Sequence, residues 1–157
     1  MLWKYLKRKG INIKFAIVGS REFDDYKLFK KIIKLSKFKI TEICSGGAKG
    51  VDSLAEKYAE ENNIPIKVFP AEWNNLSQEG AIIKERENPW TKKKEKYCSN
   101  AGLLRNTKII NYSECCIAIP LENSRGTLDD INKAKKKGIP IYVYETPEEE
   151  KEYDYEF

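Results

Sequence analysis

Residues 40–70 read ITEICSGGAKGVDSLAEKYAEENNIPIKVFP. A short apolar run, 40–47, ends in paired glycines. Residues 50–63 then place Val51, Leu54, Ala55, Tyr58 and Ala59 at helical spacing on one face. A second apolar run, IPIKVFP at 64–70, is bounded by prolines. Strand, glycine turn, helix and strand form the unit that builds a parallel sheet, because parallel neighbours need a long crossover, usually a helix.

The same rhythm extends to both sides. IKFAIVG (13–19) is a continuous apolar run ending in glycine, and YKLFKKIIKLSKF (26–38) carries Leu28, Phe29, Ile32, Ile33 and Leu35 at helical spacing. Downstream, residues 100–112 read as a helix, CCIAIP (115–120) as a buried strand, 126–138 as a helix closed by Gly138, and IPIYVYE (139–145) as the last strand. Runs this apolar suit strands covered on both faces. The expectation is an α/β fold: a Rossmann-like, doubly wound parallel sheet of about five strands, order 3-2-1-4-5, with right-handed crossovers and helices on both faces. Residues 74–99 are polar and poorly periodic, and are read as an insertion and a candidate lid. Residues 1–145 then form one domain, and 146–157 an acidic tail.

Composition narrows the chemistry. The chain has 157 residues, 41% of them hydrophobic, and a net charge of +5. Residues 145–157 hold seven acids against one lysine, a net −6 that leaves the other 144 residues at +11. A basic body favours polyanions or phosphorylated small molecules. There is no histidine, which removes Ser-His and Cys-His nucleophile pairs and the commonest metal ligand. The four cysteines, Cys44, Cys98, Cys115 and Cys116, form no CxxC, and the strand pair Cys115–Cys116 reads as core filling. Neither a metal nor a cofactor is expected. No apolar run reaches the roughly 20 residues of a membrane span, and the N-terminus lacks a secretory pattern, so a cytoplasmic location is expected.

Small residues gather where strands end. VGSREF follows the first strand, CSGGAKG the second, and PLENSRGTLDD the fourth. Glycine lets backbone approach a phosphate where a Cβ would collide, and helix starts attract anions through unpaired amides. Neither G-x-G-x-x-G nor a P-loop is present. Three such joins along one sheet edge nevertheless point to a phosphate or nucleotide site.

Taken together, KFAIVGSREFDDY, SGGAKGVDSLAEKYA, FPAEW, AGLLRN, NSRGTLDDINKA and GIPIYVY resemble the SLOG superfamily, most closely its small YspA-type members. The resemblance implies a nucleotide-ligand site at the glycine-rich strand ends. Its relatives include phosphoribohydrolases of the Lonely guy type, the DNA-processing protein A family, and sensors of NAD-derived signals in bacterial and phage defence. It implies ligand roles for Gly19, Ser20 and Arg21, for Gly46, Gly47, Ala48 and Asp52, for Gly102, Arg105 and Asn106 with Ala101 beside them, and for Ser124, Gly126 and Thr127. The hydrolases carry a glutamate where this chain has Asp130, and NSR replaces their glycines. Asp130 and Arg105 are therefore the catalytic pair only if the protein is an enzyme. A homodimer or higher homo-oligomer is also implied.

Several residues admit two readings. Asp52 either braces its loop and helix start or meets a ribose hydroxyl. Asp129 and Asp130 are helix-start acids or, for Asp130, a group aimed at an anomeric carbon. Trp73, Trp90 and Tyr97 pack, or one of them stacks on a base. Lysines 27, 30, 31, 34, 37 and 39 form a solvated face or a nucleic-acid strip. The favoured function is binding of an NAD, ADP-ribose or nucleoside-phosphate type molecule, as a sensor or sequestering protein. Phosphoribohydrolysis stands second and single-stranded DNA binding third.

Overall fold

The computed structural model describes residues 12–121 and 124–145. The elements run β1 (Lys14–Gly19), α1 (Tyr26–Ser36), β2 (Glu42–Ser45), α2 (Val51–Glu61), β3 (Ile66–Val68), β4 (Ile83–Glu87), β5 (Lys94–Cys98), α3 (Ala101–Tyr112), β6 (Cys115–Ile119), α4 (Arg125–Lys137) and β7 (Ile141–Val143). Five strands form one sheet in the order β3-β2-β1-β6-β7, and every pairing in it is parallel. This is the expected 3-2-1-4-5 order, with β6 and β7 as the fourth and fifth strands. The acidic tail lies outside the described residues. Among those described, no helix is long and apolar enough to cross a membrane.

The period of two along each strand sorts side chains between two cores. Ile17, Ile43, Ile117 and Ile119 face α1 and α2, where Phe29, Ile32, Val51 and Ala55 meet them. Ala16, Val18, Cys44, Cys116 and Ala118 face α3 and α4, against Ile109, Ile110, Ile131 and Ala134. The register sets Ala16 between Cys44 and Cys116, so small side chains form the floor beneath α3 and α4. All four cysteines are free and buried. Burial pushes the Cys44 and Cys115 thiols up to about 11, so neither supplies a thiolate nucleophile at neutral pH.

Helix ends follow local chemistry. The Asp25 carboxylate accepts the Leu28 N–H at 2.9 Å and opens α1. Gly138, at φ +79°, closes α4. Lys137 donates to the carbonyls of Ile110, Asn111 and Ser113 at the end of α3, a cation against the negative end of a helix.

The stretch 74–99 holds structure that periodicity does not reveal. β4 and β5 pair antiparallel, from Ile83 opposite Cys98 to Glu87 opposite Lys94. All five β4 residues are exposed. A ribbon wet on both faces has no apolar alternation to read.

Candidate functional site

In a parallel sheet the ends of β1, β2 and β6 share one edge, and here their loops are hydrogen-bonded together. The Ser20 N–H donates to the Ile119 carbonyl at 3.1 Å, joining the first loop to β6. The Ser20 carbonyl accepts the Val51 N–H at 3.2 Å, joining it to the start of α2.

Beyond this edge lies a cavity of about 540 Å³, within the size range of small-molecule sites. Eleven of the thirteen expected ligand residues line it. Gly19, Ser20 and Arg21 come from the first loop, Ala48 and Asp52 from the second, Gly102, Arg105 and Asn106 from α3, and Ser124, Gly126 and Thr127 from the start of α4. Asp130 completes the wall. Gly46 and Gly47 line an adjoining hollow of about 780 Å³, which shares Arg21, Glu22, Ala48, Trp73 and Arg105 with the first.

The glycine loop is braced from inside the protein. Arg105 donates through Nη1 to the Gly46 carbonyl and through Nε to Asn106 Oδ1 at 3.0 Å. Asp52 Oδ2 accepts the Ala48 N–H at 3.1 Å, and Ser45 Oγ accepts the Gly47 N–H at 3.4 Å. The loop amides expected to meet an anion are thus partly committed to side chains. Two helix starts offer further amides. No side chain caps α3 or α4, and Gly102, Leu103, Gly126 and Thr127 in their first turns line the cavity. Gly126 and Thr127 belong to the first turn of α4, which begins at Arg125, one residue before the expected start.

Three charged residues of the cavity, Asp52, Arg105 and Asp130, are buried and opposed, while Arg21 and Glu22, which also line it, are exposed. Arg105 stands between Asp52 and Asp130, whose attraction resists the desolvation that lowers its pKa. Burial raises Asp52, against its bond to Ala48 and the pull of Arg105. Asp130 is pushed up to about 7, chiefly by desolvation, then by Asp129 and Asp52, while Lys133 and Arg105 oppose the rise. Asp130 is 5% exposed, and its Oδ1 is a buried atom with no hydrogen-bond partner among the described residues. Its neighbour has a different role: Asp129 is ion-paired to Lys133, which also donates to the Leu103 carbonyl at 3.0 Å and ties α4 to α3.

The three aromatics divide. Trp73 lines both hollows, and its ring lies 3.7 Å from where a Cβ on Gly102 would stand. Tyr97 lies under the Arg86 guanidinium. Trp90 is 89% exposed at the hairpin tip. Ser99 and Asn100 also line the cavity, a placement with no sequence signal. Asn100 is there because its side chain clamps the hairpin root, accepting the Ile82 N–H and donating to the Gly80 carbonyl.

The profile of the YspA, cpYpsA-related SLOG family matches residues 13–75. The chain is 30% identical over 105 residues to the Gene 61 protein of Mycobacterium phage D29, covering 63% of this chain and 67% of that one. Among solved structures it is similar to DNA processing protein A of Streptococcus pneumoniae, with a TM-score of 0.62 at 20% identity, over 87% of this chain and 51% of that one. DNA processing protein A of Helicobacter pylori, described for its single-stranded DNA binding mode, gives a TM-score of 0.58 at 20% identity, over 87% of this chain and 66% of that one. At these identities the likeness is one of fold, and the chain spans between half and two thirds of those proteins.

Proposed function

The chain belongs to the YspA, cpYpsA-related SLOG family, and from that premise we propose that it binds a nucleotide-derived small molecule of the ADP-ribose or nucleoside-phosphate class, as a sensor or sequestering protein. One observation carries the reading: three strand-end loops and two uncapped helix starts meet at a single cavity with a buried arginine. The first-turn amides of α3 and α4, with Arg21 and Arg105, receive the phosphate. Trp73, at the junction of the two hollows, offers an aromatic face to a base.

The test is thermal denaturation with a panel of nucleoside monophosphates, ADP-ribose and NAD. A bound ligand at 100 times its Kd adds about 2.7 kcal/mol, or about 5–10 °C for a domain of this size. No shift with any member would end the proposal.

Arg21→Ala should weaken the ligand-induced shift tenfold or more in ligand concentration while leaving the apo melting temperature unchanged, because Arg21 is exposed. Arg105→Ala should abolish the shift and also cost the apo protein about 3 kcal/mol, because it leaves Asp52 and Asp130 buried without their cation. A full ligand response in either variant removes that arginine from the site.

A second reading rests on Asp130. A buried carboxyl titrating near 7 and facing the cavity suits general acid–base work. In a nucleoside monophosphate it would take a proton from the water attacking the anomeric carbon as the N-glycosidic bond breaks and the base departs. Release of free base, followed by chromatography, separates hydrolase from binder. Single-stranded DNA, bound by the Helicobacter pylori protein, ranks below both for this cavity.

A further inference from the structure

We propose that the β4–β5 hairpin is a docking arm for single-stranded DNA, with Trp90 stacking on a base and Lys92 and Lys93 meeting the adjacent phosphates. The stem and the tip differ in how their charges are used. In the stem, Glu85 stands opposite Lys96, Glu87 opposite Lys94 and Arg86 opposite Glu95. Arg86 Nε donates to Glu95 Oε1 at 2.9 Å, and its guanidinium lies 4.8 Å from the Tyr97 ring centre. Opposite charges facing across a ribbon hold its strands together. These facing charges are accounted for by the hairpin itself, with Arg86 and Glu95 joined as an ion pair and the other two pairs facing by register.

The tip is not. Asn88 organises it: Oδ1 accepts the Trp90 and Thr91 N–H groups at 2.9 and 3.0 Å, while its backbone exchanges hydrogen bonds with Lys92 and Lys93. Trp90 is thus held on an ordered turn with its indole 89% exposed. Among the described residues, no ion pair neutralises Lys92 or Lys93. Trp90, Lys92 and Lys93 share one turn, and among the described residues no hydrogen bond or ion pair engages any of the three side chains.

A planar aromatic flanked by cations fits a partner that alternates flat bases with phosphates. The indole needs an unstacked base face, which a duplex hides, so the strand is single. The arm is firmly rooted, since the Cys98 N–H donates to the Trp73 carbonyl at 2.7 Å and the Ser99 N–H to the Ile82 carbonyl at 2.8 Å. Five-residue strands carry the tip roughly 17 Å beyond that root. This surface is separate from the cavity and does not depend on what the cavity binds.

The experiment is fluorescence anisotropy of a labelled oligothymidylate of about 20 nucleotides, titrated with the full chain at low salt. Trp90→Ala should weaken binding about 5- to 150-fold, the range that one base–aromatic stack contributes. Trp90→Phe should recover most of that loss. Replacing Lys92 and Lys93 together by Gln should reduce the slope of log K against log salt by about 1.4. Melting temperatures should not change in any of the three. The proposal is overturned by absence of binding or by unchanged affinity in Trp90→Ala. It is equally overturned if duplex DNA, an RNA of matching length or anionic lipid vesicles bind the tip more tightly than oligothymidylate. Loss confined to Gln variants of Lys27, Lys30, Lys31 and Lys34 on α1 would assign the DNA to that helix instead.

Discussion

Asp130→Asn should stabilise the protein at pH 8 by on the order of 4 kcal/mol and leave it unchanged at pH 3. The carboxyl has an ordinary value of 3.8 and stands at about 7 in the folded protein. Below 3.8 both folded and unfolded chains hold the proton and nothing is lost. Between 3.8 and 7 the unfolded chain releases the proton and the folded one keeps it, so stability falls by about 1.4 kcal/mol per pH unit. Above 7 both forms are ionised and the penalty is constant. Asparagine carries no such penalty at any pH. Urea denaturation of both proteins from pH 3 to 9 should give a difference that rises between 4 and 7 and then levels. A flat difference would mean that Asp130 is not held in the protonated form. The groups opposing the rise, Lys133 and Arg105, are outweighed by burial and by the neighbouring acids Asp129 and Asp52. A buried carboxyl beside a cavity, with an oxygen unpartnered among the described residues, is the pattern expected where function and stability conflict.

Gly50→Ala should be strongly damaging, lowering stability by about 3–5 kcal/mol. Gly50 sits at φ +71° and ψ −127°, a conformation closed to side-chain-bearing residues. An added Cβ would stand 2.3 Å from the Ser20 carbonyl oxygen and 2.6 Å from the Arg21 backbone. These atoms are main chain and cannot rotate away. The contact is also where the first and second loops meet, so the variant should lose ligand-induced stabilisation together with fold stability. A loss below 1 kcal/mol in urea denaturation would show that the two loops can separate without cost. Gly126→Ala is the matching control. A Cβ there meets nothing within 4 Å, so the fold should be untouched and any loss of ligand response comes from the cavity.

The sheet was readable because burial on both faces writes itself as apolar runs, and amphipathic helices as spacing of three and four. The β4–β5 ribbon was unreadable for the converse reason: KERE and KEKY carry no apolar face, and their cross-strand charge pairing exists only once the register is known. Asp129 and Asp130 show the same limit at single-residue scale. Adjacent in sequence, they part company because a helix rotates one toward Lys133 at the surface and the other toward the cavity.

Local sequence by itself determined the five sheet strands, the helix positions and the small residues at the strand ends, since each follows from periodicity or from a glycine near a strand end; the strand order then followed from the doubly wound topology that such an alternation favours. It did not determine what those glycines make room for. A Cβ on Gly46 would stand 2.6 Å from Arg105 Nη1 and 2.8 Å from Asp52 Oδ2, so the missing Cβ makes room for a guanidinium from a helix 59 residues away, while Gly46 also lines the adjoining hollow. Only packing could decide this, because which side chain fills the space left by a missing Cβ depends on elements distant in the chain and brought together by the sheet.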